Sequence, residues 1–223
     1  MKTVLITGIG RGIGLALAEK FLAEGWQVIG TYLNSGPDLV KANLKTVPLD
    51  LSSEDSIGEA IKIIAGFNLK IDLLINNAGV LLDEEETALK PDKLSQTLKV
   101  NVVGTANFTE QVLPLLAEGS QIIFISSEAG SLALSGRGIS HYPDHYPAYK
   151  ISKAALNMYM VTLARRLDQQ IIVSALHPGW VKTTMGGEEA DLTPAEAAEN
   201  IYTFSLSSHP TGQLWFKGES IPW

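Results

Sequence analysis

A tyrosine one helical turn ahead of a lysine occurs twice in HYPDHYPAYKISK, the stretch from His141 to Lys153: Tyr146 with Lys150, and Tyr149 with Lys153. Such a pair can work as acid and base, because a nearby ammonium favours the phenolate and lowers a pKa that starts near about 10. Two overlapping frames cannot both do so. Pro147 decides between them: proline pushes the residue before it out of the α region and is itself well suited to a first helical position. The spacing therefore predicts a helix that begins near Pro147, with Tyr146 outside it and Tyr149 inside. From Ala148 to Leu167 the chain carries no glycine or proline and is rich in helix formers. Only Tyr149 and Lys153 then share a helical face. Taken alone, this spacing is common enough that an interfacial tyrosine and a solvated lysine describe the pair better than catalysis does.

A second chemical signal lies in TGIGRGIG, Thr7 to Gly14. The glycines fall as G-x-x-x-G-x-G at Gly8, Gly12 and Gly14, not as G-x-G-x-x-G. The physics is still that of a phosphate-binding turn. Glycine permits a tight bend and close backbone approach, and a following helix offers its N–H groups and positive end to a pyrophosphate. A strand before the turn and an amphipathic helix after it favour a nucleotide site over a merely flexible connection.

The elements that must position these residues are readable as alternation. Candidate strands fall at 3–7, 27–32, 44–49, 72–76, 121–126, 170–177 and 213–216, and candidate helices at 13–24, 53–66, 92–117, 147–168 and 194–207. Nearly continuous apolar strands between helices mark a parallel sheet covered on both faces. The expected architecture is α/β: a single doubly wound, Rossmann-type unit over residues 1–223, with a mainly parallel sheet of about seven strands and ligands at the strands' carboxyl ends.

Composition narrows the chemistry. The 223 residues are 45% hydrophobic and 18% charged, with a formal net charge of −7. Such a balance argues against nucleic acid or an anionic membrane surface as main partner. The absence of cysteine excludes disulfides, thiolate catalysis and cysteine-ligated metal. MKTVLITGIG lacks a secretory pattern and no run approaches a membrane span, so the expected compartment is the cytosol.

Six motifs appear in order: TGIGRGIG, NNAG at 76–79, Asn101 in LKVNVVG, ISSEAG at 125–130, Tyr149-x-x-x-Lys153 and HPGWVKT at 177–183. Together they resemble the short-chain dehydrogenase/reductase family across nearly the full chain. The endings TTMGG and ESIPW resemble its C-factor branch. The resemblance implies hydride transfer between a nicotinamide cofactor and a carbonyl or alcohol, with Tyr149 as acid and base, Lys153 lowering its pKa and holding the nicotinamide ribose, Ser127 binding the substrate oxygen, and Asn101 kinking its helix and holding a relay water. Ser126, pointing the other way along the strand, is expected to be structural.

The same resemblance assigns the cofactor contacts. Gly8, Arg11, Gly12, Ile13 and Gly14 would surround the pyrophosphate end. Asp50 and the Leu51 backbone would meet the adenine, and Asn77, Ala78 and Gly79 would lie along the adenosine ribose. Pro178, Gly179, Val181 and Thr183 would shape the nicotinamide pocket.

NADP(H) is the favoured cofactor, with NAD(H) the other candidate. An NAD site of this architecture places an acid after the second strand to accept the ribose hydroxyls. Here GTYLNSGPD offers Thr31, Tyr32, Leu33 and Asn34, with Asp38 only beyond a glycine-proline turn. Arg11 could reach a 2′-phosphate with charge-assisted bonds.

Ser127 and Tyr149 stand 22 residues apart, a longer gap than is usual in the family, so SLALSGRGISHYPDHY is expected to cover the substrate side. His141 and His145 do not read as metal ligands, because Pro143 forbids the regular helix that would align them and only Asp144 lies near. With Trp180 they would form an aromatic wall or simply pack the insert down. The short segment from Gly186 to Leu192 implies a reduced lid. The expected partners are a small carbonyl or alcohol substrate and further copies of the chain, as a dimer or tetramer pairing the two long helices. A dinucleotide-binding signalling protein of the C-factor type is the alternative, and it has no need of Tyr149 and Ser127 together.

Overall fold

The computed structural model describes residues 1–135, 145–167 and 170–223. Eight strands form one sheet in the order β3-β2-β1-β4-β5-β6-β7-β8. They are β1 (Thr3–Ile6), β2 (Gln27–Tyr32), β3 (Leu44–Pro48), β4 (Ile71–Asn76), β5 (Leu116–Ile125), β6 (Ile172–Leu176), β7 (Gln213–Phe216) and β8 (Glu219–Ile221). All pairings are parallel except that of β7 with β8. The doubly wound α/β expectation is met. The chain winds outward from β1 to β3, then returns to the other side of β1 at β4, so the reversal of direction lies between β1 and β4. That crevice is where ligands bind in such sheets.

The helices are α1 (Gly12–Ala23), α2 (Glu54–Gly66), α3 (Pro91–Leu98), α4 (Thr105–Val112), the short α5 (Leu132–Ser135), α6 (Pro147–Arg166) and α7 (Pro194–Leu206). Strand alternation sends successive side chains to opposite faces. Leu5 and Ile29 join α2, α4 and α6 residues such as Ile57, Phe108 and Met160 on one side. Val4, Ile6 and Val28 join α1 and α7 residues such as Leu17, Phe21 and Ile201 on the other. Each such side chain contributes about 1.5–3 kcal/mol by leaving water.

Two expectations need correction. The helix predicted over 92–117 is broken. It runs as α3, a π-helical turn over Lys99–Gly104, α4 and a 3-10 turn over Leu113–Leu115, and β5 has already begun at Leu116. The eighth strand was also missed. It follows a two-residue turn in which Lys217 and Gly218 have φ of 49° and 80°, and Lys-Gly lacks the asparagine or aspartate that usually announces such a hairpin.

The π turn brings backbone to backbone. A Cβ on Gly104 would lie 1.8 Å from the Leu51 carbonyl oxygen, which only glycine tolerates. Gly104→Ala is therefore expected to lower stability by about 1–3 kcal/mol. Gly58→Ala, in α2 where an added Cβ meets nothing within 4 Å, should raise it by about 0.4–1 kcal/mol. Urea denaturation of both variants checks the contrast.

Candidate active site

The predicted glycine turn leaves β1 and opens α1. Gly8 and Gly12 have φ of 78° and 58°, the left-handed region that favours glycine. A Cβ on Gly14 would lie 2.1 Å from the Gly8 carbonyl oxygen and 2.6 Å from Asn77 Nδ2. The turn is tied to the loop after β4. Thr7 Oγ1 accepts from the Asn77 and Ala78 amides, both at 3.0 Å, and Asn77 Nδ2 donates to the Thr7 carbonyl at 2.9 Å. The helix start is left open to a ligand. Arg11 precedes it with extended backbone and no side-chain cap, and the first turn holds no acid. Arg11 itself is exposed, and its Nη1 donates to Thr184 Oγ1 at a long 3.5 Å.

The residues expected to meet the adenine follow β3. Asp50 Oδ1 accepts from both the backbone and the hydroxyl of Ser52, at 2.8 and 2.7 Å, and Leu51 is buried against Gly104. Beyond β6, Gly179 has φ of 90°, and Val181 is buried and bridges Leu192. Thr183 Oγ1 accepts from the Gly186 amide at 3.0 Å and donates to the Val181 carbonyl at 3.3 Å. Its methyl group would stand 3.2 Å from a Cβ on Gly12, so the loop after β6 reaches the glycine turn. Trp180 Nε1 donates to the Gly186 carbonyl at 2.7 Å, closing this loop on itself with the indole exposed.

Helix α6 begins at Pro147, as its stereochemistry predicted, and Tyr146 stands outside it in a left-handed conformation. Lys153 Nζ then lies over the Tyr149 ring, 5.5 Å from its centroid. Lys153 is 5% exposed and donates to the Ile125 carbonyl at 2.8 Å. Glycine again permits the approach: a Cβ on Gly130 would lie 2.6 Å from the Lys153 carbonyl carbon.

Asn101 sits in the π turn and is buried. Its Oδ1 accepts from the Val80 amide and its Nδ2 donates to the Val80 carbonyl, both at 2.8 Å. The same Nδ2 donates to Ser152 Oγ at 3.1 Å, and that hydroxyl donates to the Tyr149 carbonyl at 2.7 Å. Ser127 lies two residues beyond β5 and caps a 3-10 turn over Glu128–Gly130, its Oγ accepting from the Ala129 amide at 3.1 Å. An oxygen that accepts from backbone is oriented to give its own proton elsewhere. Ser126 Oγ donates instead to Asn157 Oδ1 at 2.5 Å, holding β5 to α6. A further link joins the loops after β5 and β6, where His177 Nε2 approaches Glu128 Oε1 at 3.8 Å.

The expected residues thus lie beyond the carboxyl ends of β1, β3, β4, β5 and β6, with Asn101 in the π turn and Tyr149 and Lys153 in α6. Sequence reasoning missed Ser152, the relay between Asn101 and Tyr149, although its place three after Tyr149 put it on the same helical face. It also missed the Ile125 carbonyl, which no side-chain pattern could reveal. His141 and Asp144, set aside as metal ligands, lie outside the described residues, as does most of the insert. Among the described residues no group of three or more His, Asp or Glu could hold a metal ion, and no helix is long and apolar enough to cross a membrane.

Burial pushes the Lys153 ammonium down from its ordinary 10.5 to about 8. Below pH 8 both folded and unfolded chains carry the proton, and the cost of burying it is fully present. As pH rises from 8 towards 10.5 the unfolded chain binds more protons, so stability rises. The stability difference between wild type and Lys153→Met, measured by denaturation, is expected to shift in favour of wild type by about 2 kcal/mol between about pH 8 and about pH 10.

Comparison with known proteins agrees with this geometry. The family model for short chain dehydrogenase matches residues 2–193. C-signal of Myxococcus xanthus is 32% identical over 164 residues, covering 69% of this chain and 93% of that protein. The carbonyl reductase Sniffer of D. melanogaster superposes with a TM-score of 0.88 at 30% identity, covering 100% of both chains. The NADPH-bound carbonyl reductase from chicken fatty liver also gives 0.88, at 27% identity, covering 100% of this chain and 94% of that one. That family model spans most of the chain, and the chain belongs to the short-chain dehydrogenase/reductase family.

Proposed function

We propose that the chain is an NAD(P)(H)-dependent oxidoreductase that moves hydride between a nicotinamide cofactor and a carbonyl or alcohol, with NADPH preferred over NADH. In this reading residues 1–223 act as one cofactor-binding unit. The observation that carries it is the Tyr149–Lys153 pair on one face of α6, tied through Ser152 to Asn101. The residues present fit a dinucleotide. Gly8, Gly12 and Gly14 form a cradle that Cβ atoms would fill, and the uncapped, acid-free start of α1 suits a pyrophosphate at Arg11, Gly12 and Ile13. Asp50 and Leu51 would hold the adenine, and Asn77, Ala78 and Gly79 the adjacent ribose. Pro178, Gly179, Val181 and Thr183 would enclose the nicotinamide.

The bound cofactor supplies or accepts the hydride. The chain's own residues handle the oxygen and the proton. Ser127 donates a hydrogen bond to the substrate oxygen, and Tyr149 delivers its phenolic proton there as negative charge develops. Lys153, still largely protonated near neutrality with a pKa of about 8, stabilises the resulting phenolate and binds the ribose hydroxyls. Asn101 holds a water that returns a proton towards Lys153. The alcohol is oxidised by the reverse sequence.

NADPH preference rests on the uncharged chain after β2, where Leu33, Asn34 and Ser35 are exposed, and on the exposed, weakly engaged Arg11. The NADPH-bound structural relative supports it. A cytosolic homo-oligomer completes the reading, with exposed Val103, Ile151 and Met158 along the π turn and α6 available for contact.

A reduction screen of aldehydes, ketones and quinones with both cofactors tests the activity. Tight cofactor binding with no turnover of any of them would favour a signalling role, to which the similarity to C-signal points. Tyr149→Phe is expected to cut turnover by about 100- to 10,000-fold with cofactor affinity retained by titration, whereas Tyr146→Phe keeps most activity. Arg11→Ala should raise the Michaelis constant for NADPH and leave that for NADH nearly unchanged. Equal catalytic efficiency of the wild type with NADH would remove the preference.

A further inference from the structure

Helix α6 starts without a local cap. Tyr146, at its N-cap, has φ of 49° and makes no side-chain cap hydrogen bond. The first N–H groups of a helix need partners from outside it. Here both come from one distant turn. Glu86 donates its amide to the Asp83 carbonyl at 3.0 Å, closing residues 83–86 into a turn. That turn accepts the Tyr146 amide on the Glu86 carbonyl at 2.9 Å and the Ala148 amide on Asp83 Oδ2 at 2.6 Å. Pro147, between them, has no N–H to satisfy.

Asp83 is 1% exposed, and its second oxygen, Oδ1, has no hydrogen-bond partner among the described residues. Burying a carboxylate with one oxygen unpartnered is costly, whereas an apolar side chain here would leave the buried Ala148 amide without its acceptor. What the carboxylate gains is the positive end of α6 and one short bond to the amide preceding Tyr149. The turn is also anchored at its other end. Glu86 pairs with Lys93 of α3 at 3.0 Å. Upstream, the Val80 backbone is clasped by Asn101. The cofactor loop at 76–79, Asn101 and the start of α6 are thereby set in one register.

We propose that Asp83 is a positioning residue for the reaction: it caps α6 in trans and fixes Tyr149 against the cofactor loop. The proposal rests on the reading of Tyr149 as proton donor, and the test separates the two. Backbone amide exchange over 146–150 reads the cap without any turnover, and steady-state kinetics reads the placement.

Asp83→Ala is expected to lose exchange protection at the start of α6 and to lower kcat by about 10- to 100-fold. The NADPH dissociation constant should stay near wild type, since the Thr7–Asn77 contacts are untouched. Asp83→Asn keeps an oxygen that can accept from Ala148, so it should restore protection and bring kcat to within about threefold of wild type. Should the alanine variant not fold, Asp83→Ser replaces it, its hydroxyl being too short to reach the amide. Unchanged exchange in the variant that cannot cap, an unchanged kcat there, or an equal kcat loss in Asn and Ala overturns the proposal. A wild type without turnover would sink the reading of Tyr149 instead, while the exchange experiment would still decide on the cap.

Discussion

The side chain of Asn101 does for the loop after β4 what a neighbouring strand would do. Its amide donates to and accepts from the Val80 backbone at 2.8 Å each, and much of the site's geometry follows from that clasp. Asn101 lies in the π-helical turn over Lys99–Gly104, where the helix relaxes its own ladder. The turn ends at Gly104, where the missing side chain lets the backbone press against Leu51. The same amide reaches Ser152, and through it the backbone of Tyr149. Asn101 thus couples the loop after β4 to the helix that carries Tyr149, and the turn it sits in meets Leu51 through Gly104.

The architecture was legible because its signals are local. Parallel strands buried on both faces read as apolar runs, and β2 and β7 fall at their predicted bounds, 27–32 and 213–216. The start of α6 followed from the stereochemistry of Pro147 alone. The failures occurred where a partner distant in sequence decides. Helix propensity over 92–117 gives no hint that Asn101 prefers Val80, or that β5 begins at Leu116 to pair with Ile71. The candidate side chains were legible as types in order, whereas the backbone groups that hold them were not. The Ile125 carbonyl on Lys153 and the Ala148 amide on Asp83 belong to residues whose identity carries no message.

The site is expensive to build, and this cost bears on how it works. An ammonium buried to 5% exposure lowers the stability of the free protein, as its depressed pKa records. The Ile125 carbonyl offsets only part of that cost, because one neutral acceptor cannot replace the hydration of a full charge. The first turn of α1, with no side-chain cap and no acid, offers its N–H groups in the same crevice. In the reading proposed above, both features suit an anionic or hydroxyl-bearing ligand at the carboxyl ends of the strands. In the proposed function that ligand is the dinucleotide. Its pyrophosphate would meet the open helix end and its ribose hydroxyls the buried ammonium. Binding would then relieve the cost of the site in the same step that sets the hydride beside Tyr149. On that reading the buried ammonium stands where the ligand can compensate it, while stability is built in the two apolar layers on either side of the sheet.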